Sequence, residues 1–192
     1  MRGATYHVMS RGNRKAVIFE DDADRRRFAR LLGEAAGRYR LLCHSYCLMG
    51  NHYHAVIECS DANLSAAMNW LNGVFAQYSN RRHGRSGHLL QGRFKSVLIG
   101  DDIYLRAANT YVLMNPVKAG LVEEPSEWKW SSYRATVGME APPCWLDLSL
   151  AQLGLWRPDA AGCTTELQRV RQQTRRQEPV RGGACVWRPD TA

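Results

Sequence analysis

Apolar and polar positions alternate over Thr5–Ser10 and predict a first strand, after which Arg11, Gly12 and Asn13 read as a basic turn. The period then changes. From Asp21 or Asp22, both suited to an N-cap, Phe28, Leu31, Leu32 and Ala35 recur at helical spacing and predict a helix to about Arg38. Two short apolar runs, Leu41–Met49 and His52–Cys59, flank Gly50 and Asn51, whose tolerance of positive φ suits a β-hairpin turn. Helical spacing returns over Leu64–Arg81, with Ala67, Met68, Leu71, Val74, Phe75 and Tyr78 broadly on one side. Arg81–Gly92, rich in Arg, His and Gly, reads as a loop, and Arg93–Ile99 alternates like a strand. A third helix starts at Asp101 or Asp102 and ends near Asn115, because Pro116 disfavours a helical conformation in the residue before it.

Strand, helix, hairpin, helix, strand, helix is the order of an α+β fold, with helices packed on an antiparallel sheet as in ferredoxin-like proteins. Parallel wound architectures fit it poorly. Beyond Trp130 the pattern weakens: Ala141–Cys144 carries a proline pair, and Gln168–Gly183 is polar, with Arg169, Arg171, Arg175, Arg176 and Arg181. The expected organisation is one domain over residues 1–140 and an extension over 141–192 with a mobile basic tail. There is no internal repeat.

Composition narrows the partners. The 192 residues, 45% of them hydrophobic, suffice for one domain with a real core. Twenty-six Lys and Arg against 18 acidic residues give a formal charge of +8, a field that attracts polyanions and nucleic acid first among them. The six cysteines form no C-x-x-C pair, and Cys43 and Cys47 fall in core-like runs, so buried, reduced thiols are expected. No secretory h-region opens the chain and no window approaches the roughly 18–20 apolar residues of a membrane span, which makes a cytoplasmic protein without membrane contact the expectation.

Candidate chemistry lies in two places. Strand alternation sends His52 and His54 to one face, where two imidazoles can share a divalent metal and leave positions open for water and phosphate oxygens. On the third helix Tyr104, Ala108, Tyr111 and Asn115 form a stripe at steps of three or four. A tyrosine can attack a phosphodiester when charge is withdrawn from the phosphate and the geometry is in line, and Asn115 can offer an amide oxygen as a third metal ligand. Spacing alone leaves Tyr104 and Tyr111 both open as the nucleophile, although only Tyr111 has Asn115 one turn away.

Met49-Gly50-Asn51-His52-Tyr53-His54 resembles the histidine-hydrophobe-histidine motif of the HUH endonucleases, and Tyr111 to Val122, YVLMNPVKAGLV, resembles the tyrosine helix of their single-tyrosine transposases. Tyr6-His7-Val8 with Ser10-Arg11-Gly12-Asn13, Gly92-Arg93-Phe94-Lys95-Ser96 and Trp128-Lys129-Trp130-Ser131-Ser132-Tyr133 are similar to further blocks of the REP-associated tyrosine transposases. The blocks run in the same order from about Tyr6 to Tyr133. Gly50 departs from the proline of many relatives, which implies a looser turn without loss of a ligand.

The resemblance implies an RRM-like or ferredoxin-like HUH core in which His52, His54 and Asn115 hold Mg²⁺ or Mn²⁺ and Tyr111 is the nucleophile. It implies cleavage of single-stranded DNA with palindromic hairpins through a 5′-phosphotyrosine, by a monomer, with a dimer as the alternative. Arg11, Arg14, Lys15, Arg81, Arg82, Arg85, Arg93 and Lys95 are the candidate phosphate contacts. Tyr53, Trp128 and Trp130 are candidates to stack on unpaired bases, with the tryptophans favoured as anchors of the C-terminal cap. Two rival readings are a non-catalytic single-stranded or hairpin nucleic-acid-binding module and a metal-dependent phosphodiesterase that uses water.

Overall fold

The computed structural model describes residues 3–152. Strands β1 (Ala4–Arg11), β2 (Leu41–Leu48), β3 (His52–Cys59) and β4 (Lys95–Ile99) pair antiparallel in the order β2-β3-β1-β4. With α1 (Asp22–Tyr39) after β1 and α2 (Leu64–Arg82) after β3, this is the ferredoxin-like α+β arrangement that the order of periods predicts. Helix α3 (Asp102–Leu113) and the single-turn α4 (Asn115–Lys118) follow, then the short α5 (Tyr133–Thr136) and α6 (Ser149–Gln152). The basic tail expected at Gln168–Gly183 lies outside the described residues.

Alternation divides the sheet into two faces. Val8, Tyr53, Ala55 and Ile57 turn toward α1 and α2, where Phe28, Leu31, Leu71 and Phe75 complete the larger core. Its centre is aromatic: the Phe28 ring lies 4.6 Å from Tyr53, 5.0 Å from Phe75 and 5.3 Å from Phe19, centroid to centroid. Tyr53 is therefore no platform for DNA bases. It alternates with the two histidines and must face away from them, so its ring is buried and its hydroxyl donates to Asn72.

On the other face Cys47, Met49, Val56 and Ile99 meet Ala108 and Val112 of α3. A bulge between Cys43 and Ser45 makes this possible. It reverses the parity of β2, so that Ser45 turns toward α3 and donates to Oδ1 of Asn109 at 2.6 Å, while the Asn109 amide donates to the Leu105 carbonyl. The helix that carries Tyr111 is thereby pinned to the sheet at a buried polar contact.

The outer edge of β2 is covered by later chain. Leu48 N–H donates to the Trp130 carbonyl, Ser132 N–H to Tyr46 and Asp147 N–H to Cys43. Trp128 and Trp130 flank the Arg25 guanidinium at 5.8 Å each, and Trp128 Nε1 donates to the Leu48 carbonyl. Trp145 lies flat on α1 because residue 33 is glycine: a Cβ there would sit 2.4 Å from the indole. Among the described residues Cys43, Cys47 and Cys59 are buried and free, and Cys144 is free but exposed.

The expectations for the hairpin turn need correction. Neither Gly50 nor Asn51 uses positive φ. Their turn is held instead by tertiary bonds, from Ile18 N–H and Phe19 N–H to the Gly50 carbonyl and from Gly12 N–H to the Asn51 carbonyl, so it is not loose. Helix α3 ends at Leu113, close to the expected boundary at Asn115, and Pro116 belongs to a separate turn. It occupies the first turn of α4, where the missing N–H is unpaired in any helix, and the chain runs on to Lys118.

Candidate active site

The β1–β3 register sets Arg11 opposite His52 and Met9 opposite His54, and on the far side of β1 Lys95 stands opposite Met9. Helix α3 crosses this face. The result is a small cavity of about 210 Å³ lined, among the described residues, by Arg11, His52, His54, Tyr111, Asn115 and Lys118, with Met9 and Ala119. The Tyr111 ring meets His54 edge-on at 5.4 Å and His7 at 5.7 Å. Tyr104 lies two turns earlier, half-buried in the packing of α3 with its hydroxyl pushed up to about 12 by burial, and does not line the cavity. Tertiary placement thus separates two tyrosines that spacing left equivalent.

Each histidine of the pair is held through its Nδ1. His52 Nδ1 lies 2.6 Å from Oδ1 of Asn51, whose amide nitrogen donates to the Lys15 carbonyl. His54 Nδ1 lies 3.0 Å from Nε2 of His7. Both histidines line the cavity, and the Asn115 side chain is hydrogen-bonded to His52. Two imidazoles and an amide oxygen fit a divalent metal whose remaining positions are filled by water and phosphate oxygens. Among the described residues no group of three or more His, Cys, Asp or Glu is placed to hold a metal ion by itself.

Burial lowers the basicity of all three histidines. His7 is pushed down to about 4 by desolvation, and His52 to about 4 by desolvation and the Arg11 charge, against the Asn115 hydrogen bond. His54 is held well below its ordinary value by desolvation and by His7, His52 and Arg11. Near pH 7 all three are neutral, as metal ligation and its support require. The unfolded chain takes up these protons near 6.5, whereas the folded one resists them to about 4, so the unfolded state binds more protons between those values. Stability is expected to be full above about pH 6.5 and to decline as pH falls toward 4. Urea midpoints across that range measure the slope, and His54→Leu should flatten it; an unchanged slope would remove the histidines as its cause.

The basic residues divide by environment. Arg11 lines the cavity, and Lys95 and Arg93 are exposed on or beside its β4 side. Arg14 and Lys15 are exposed on a 3-10 turn, Asn13–Lys15, at φ 53° and 60°. That turn folds back so tightly that a Cβ at Gly12 would meet the Ala16 carbonyl oxygen at 2.0 Å. Arg81 is exposed at the end of α2. Arg82 instead pairs with Asp21 and with the fully buried Asp24, both at 2.6 Å, and Arg85 pairs with Glu20, so these two charges are matched within the fold. A wider cleft of about 600 Å³, lined in part by Asn13, Glu20, Asn80, Arg85 and His88, opens two residues beyond Arg11.

Sequence reasoning missed three participants. His7 was visible only as part of a matching block, and Asn51 only as a turn residue. Lys118 lies seven residues after Tyr111, a helical return that the proline seemed to interrupt; its Nζ stands 5.1 Å from the centroid of the Tyr111 ring.

Comparison with known proteins gives a consistent result. A model of the family "Transposase IS200 like" matches residues 1–115. A Haemophilus influenzae protein named as a REP-associated tyrosine transposase is 28% identical over 130 residues, covering 58% of this chain and 74% of that protein. Among solved structures, a REP-associated tyrosine transposase bound to a REP hairpin superposes with a TM-score of 0.62 at 18% identity, covering 78% of this chain and 89% of that one, a likeness of fold.

Proposed function

This chain belongs to the IS200-like transposase family, whose members act on DNA, and from that premise we propose that it cuts and rejoins single-stranded DNA beside a hairpin through Tyr111. The observation that carries the reading is the shared cavity of Tyr111, His52, His54 and Asn115, flanked by Arg11 and Lys118. In the proposed step the Tyr111 oxygen attacks the scissile phosphorus and the bond to the 3′ oxygen breaks. The tyrosine loses its proton, the departing 3′ oxygen gains one, and the 5′ phosphate stays on Tyr111. A second 3′ hydroxyl reverses the exchange, so no nucleotide cofactor is needed.

His52, His54 and Asn115 would hold Mg²⁺ or Mn²⁺, which when bound supplies Lewis-acid polarisation of the phosphate. Arg11 and Lys118 add positive charge where the attacked phosphate becomes more negative. Lys118→Ala is expected to slow adduct formation about 100-fold, as loss of one preorganised donor typically does, with little change in hairpin affinity. Single-turnover rates with saturating DNA measure this, and a rate within a few-fold of wild type would exclude the role.

The substrate proposed is hairpin-forming palindromic DNA, supported by the REP hairpin held by the relative of the same fold. Phosphates would follow Arg11, Arg14, Lys15, Arg93 and Lys95, and unpaired nucleotides the cleft beyond Asn13. Because α3 packs on the sheet of its own chain, one chain supplies nucleophile and ligands, which supports a monomer as the acting unit. We place residues 1–140 as the transposase domain and 141–192 as its extension. No helix among the described residues is long and apolar enough to cross a membrane, and a cytoplasmic site of action suits a DNA substrate.

The test is denaturing-gel capture of a covalent complex with 5′-flanked hairpin single-stranded DNA, with and without Mg²⁺ or Mn²⁺. A metal-dependent adduct supports the mechanism. Cleaved DNA with free ends and no adduct would indicate a water nucleophile, and tight binding without cleavage a binding module.

A further inference from the structure

His7 stands on β1 opposite Val56, two residues beyond His54 on β3, so its side chain reaches the face that carries the histidine pair. It is buried, its ring centroid lies 5.1 Å from that of His54, and its Nε2 is 3.0 Å from His54 Nδ1. Two neutral imidazoles in this contact share one proton, and its location decides the state of His54. If the proton belongs to His54 Nδ1, the lone pair of His54 Nε2 faces the cavity. If it belongs to His7, the His54 proton sits on Nε2 and closes that ligand position.

The neighbouring histidine shows how the fold settles the same question. The Asn51 amide nitrogen is used by the Lys15 carbonyl, so its Oδ1 faces His52, and His52 Nδ1 must be the donor. His52 is thereby kept with Nε2 unprotonated. We propose that His7 does for His54 what Asn51 does for His52: it accepts the Nδ1 proton, fixes the tautomer and ring plane, and keeps Nε2 open toward the metal position. His7 also backs the Tyr111 ring, so one buried side chain registers a ligand against the nucleophile. This makes His7 a positioning residue and rests on the metal-site reading above.

The experiment uses the full chain with His7→Phe and His7→Gln. Phenylalanine keeps an aromatic ring without an acceptor; glutamine keeps an acceptor oxygen. Imidazole ¹⁵N–¹H correlation spectra are expected to show His54 as the Nδ1–H tautomer in wild type and His7→Gln, and as a mixture or as Nε2–H in His7→Phe. Calorimetric titration with Mn²⁺ alone is expected to show affinity about 10–100-fold weaker for His7→Phe, the usual cost of losing a group that orients a ligand, and largely restored in His7→Gln. A purely packing role predicts the opposite order, with phenylalanine the better replacement. His54 found as Nε2–H in wild type, or the Nδ1–H tautomer kept in His7→Phe, overturns the proposal. Mn²⁺ affinity that falls in His52→Ala but not in His7→Phe overturns the role of His7 alone, whereas affinity unchanged in both removes the metal site with it.

Discussion

Tyr111→Phe is expected to abolish the covalent protein–DNA adduct, a loss of at least about 10⁴-fold in rate, while hairpin affinity and melting temperature stay near those of wild type. The substitution removes only the hydroxyl. The ring that meets His7, His54 and Lys118 remains, and it lines an open cavity, so little packing is lost. The neighbouring histidines, held in fixed contacts by Asn51 and His7, do not replace the lost hydroxyl. Tyr104 lies outside the cavity and cannot substitute for it. Adduct captured on denaturing gels in the variant at the wild-type rate would transfer the role to another tyrosine and dismantle the proposed site.

Asp24→Ala is expected to lower folding stability by about 3 kcal/mol, which for a body of this size lowers the melting temperature by roughly 6–12 °C. Asp24 is fully buried in the first turn of α1 and accepts from Arg82 at 2.6 Å, His83 at 3.0 Å and the Glu20 N–H at 2.9 Å. One carboxylate therefore joins the start of α1 to the end of α2 and to the loop that lines the wider cleft. Its loss removes the acceptor shared by the part-buried Glu20 N–H, Arg82 and His83 and frees the loop from its anchor. Asp24→Asn, which keeps an acceptor oxygen, should lose less. Urea denaturation of the three proteins decides this, and a cost below about 1 kcal/mol for Asp24→Ala would mean that solvent replaces the network.

The same contact illustrates the limits of reading charge from sequence. Arg82 and Arg85 sit in an arginine-rich loop and look like free cations for DNA, but the chain returns Asp21, Asp24 and Glu20 to meet them. Those carboxylates are about 60 residues earlier, and no local pattern links them. Arg14 and Lys15, by contrast, are exposed on a backbone of positive φ. Residues in that conformation often mark a functional constraint, since L side chains avoid it.

What the sequence determined by itself is whatever depends on periodicity: four strands, two of them in a hairpin, three helices, the common face of His52 and His54, and the stripe that joins Tyr111 to Asn115. A period of two or of 3.6 is a property of neighbouring residues, and it survives without knowledge of what lies across the core. The order of those periods was sufficient for the antiparallel α+β fold. Tertiary structure alone decided which tyrosine meets the histidines, because α3 can bring either Tyr104 or Tyr111 over the sheet until the bulge in β2 turns Ser45 toward Asn109 and fixes the helix. It also decided that Tyr53 is core, that His7 and Asn51 address the two Nδ1 atoms, and that Lys118 returns over Tyr111. Each of these depends on strand register or on the path after a proline. Register is set by long-range pairing and buried polar contacts, and a shift of one residue exchanges the faces of a strand.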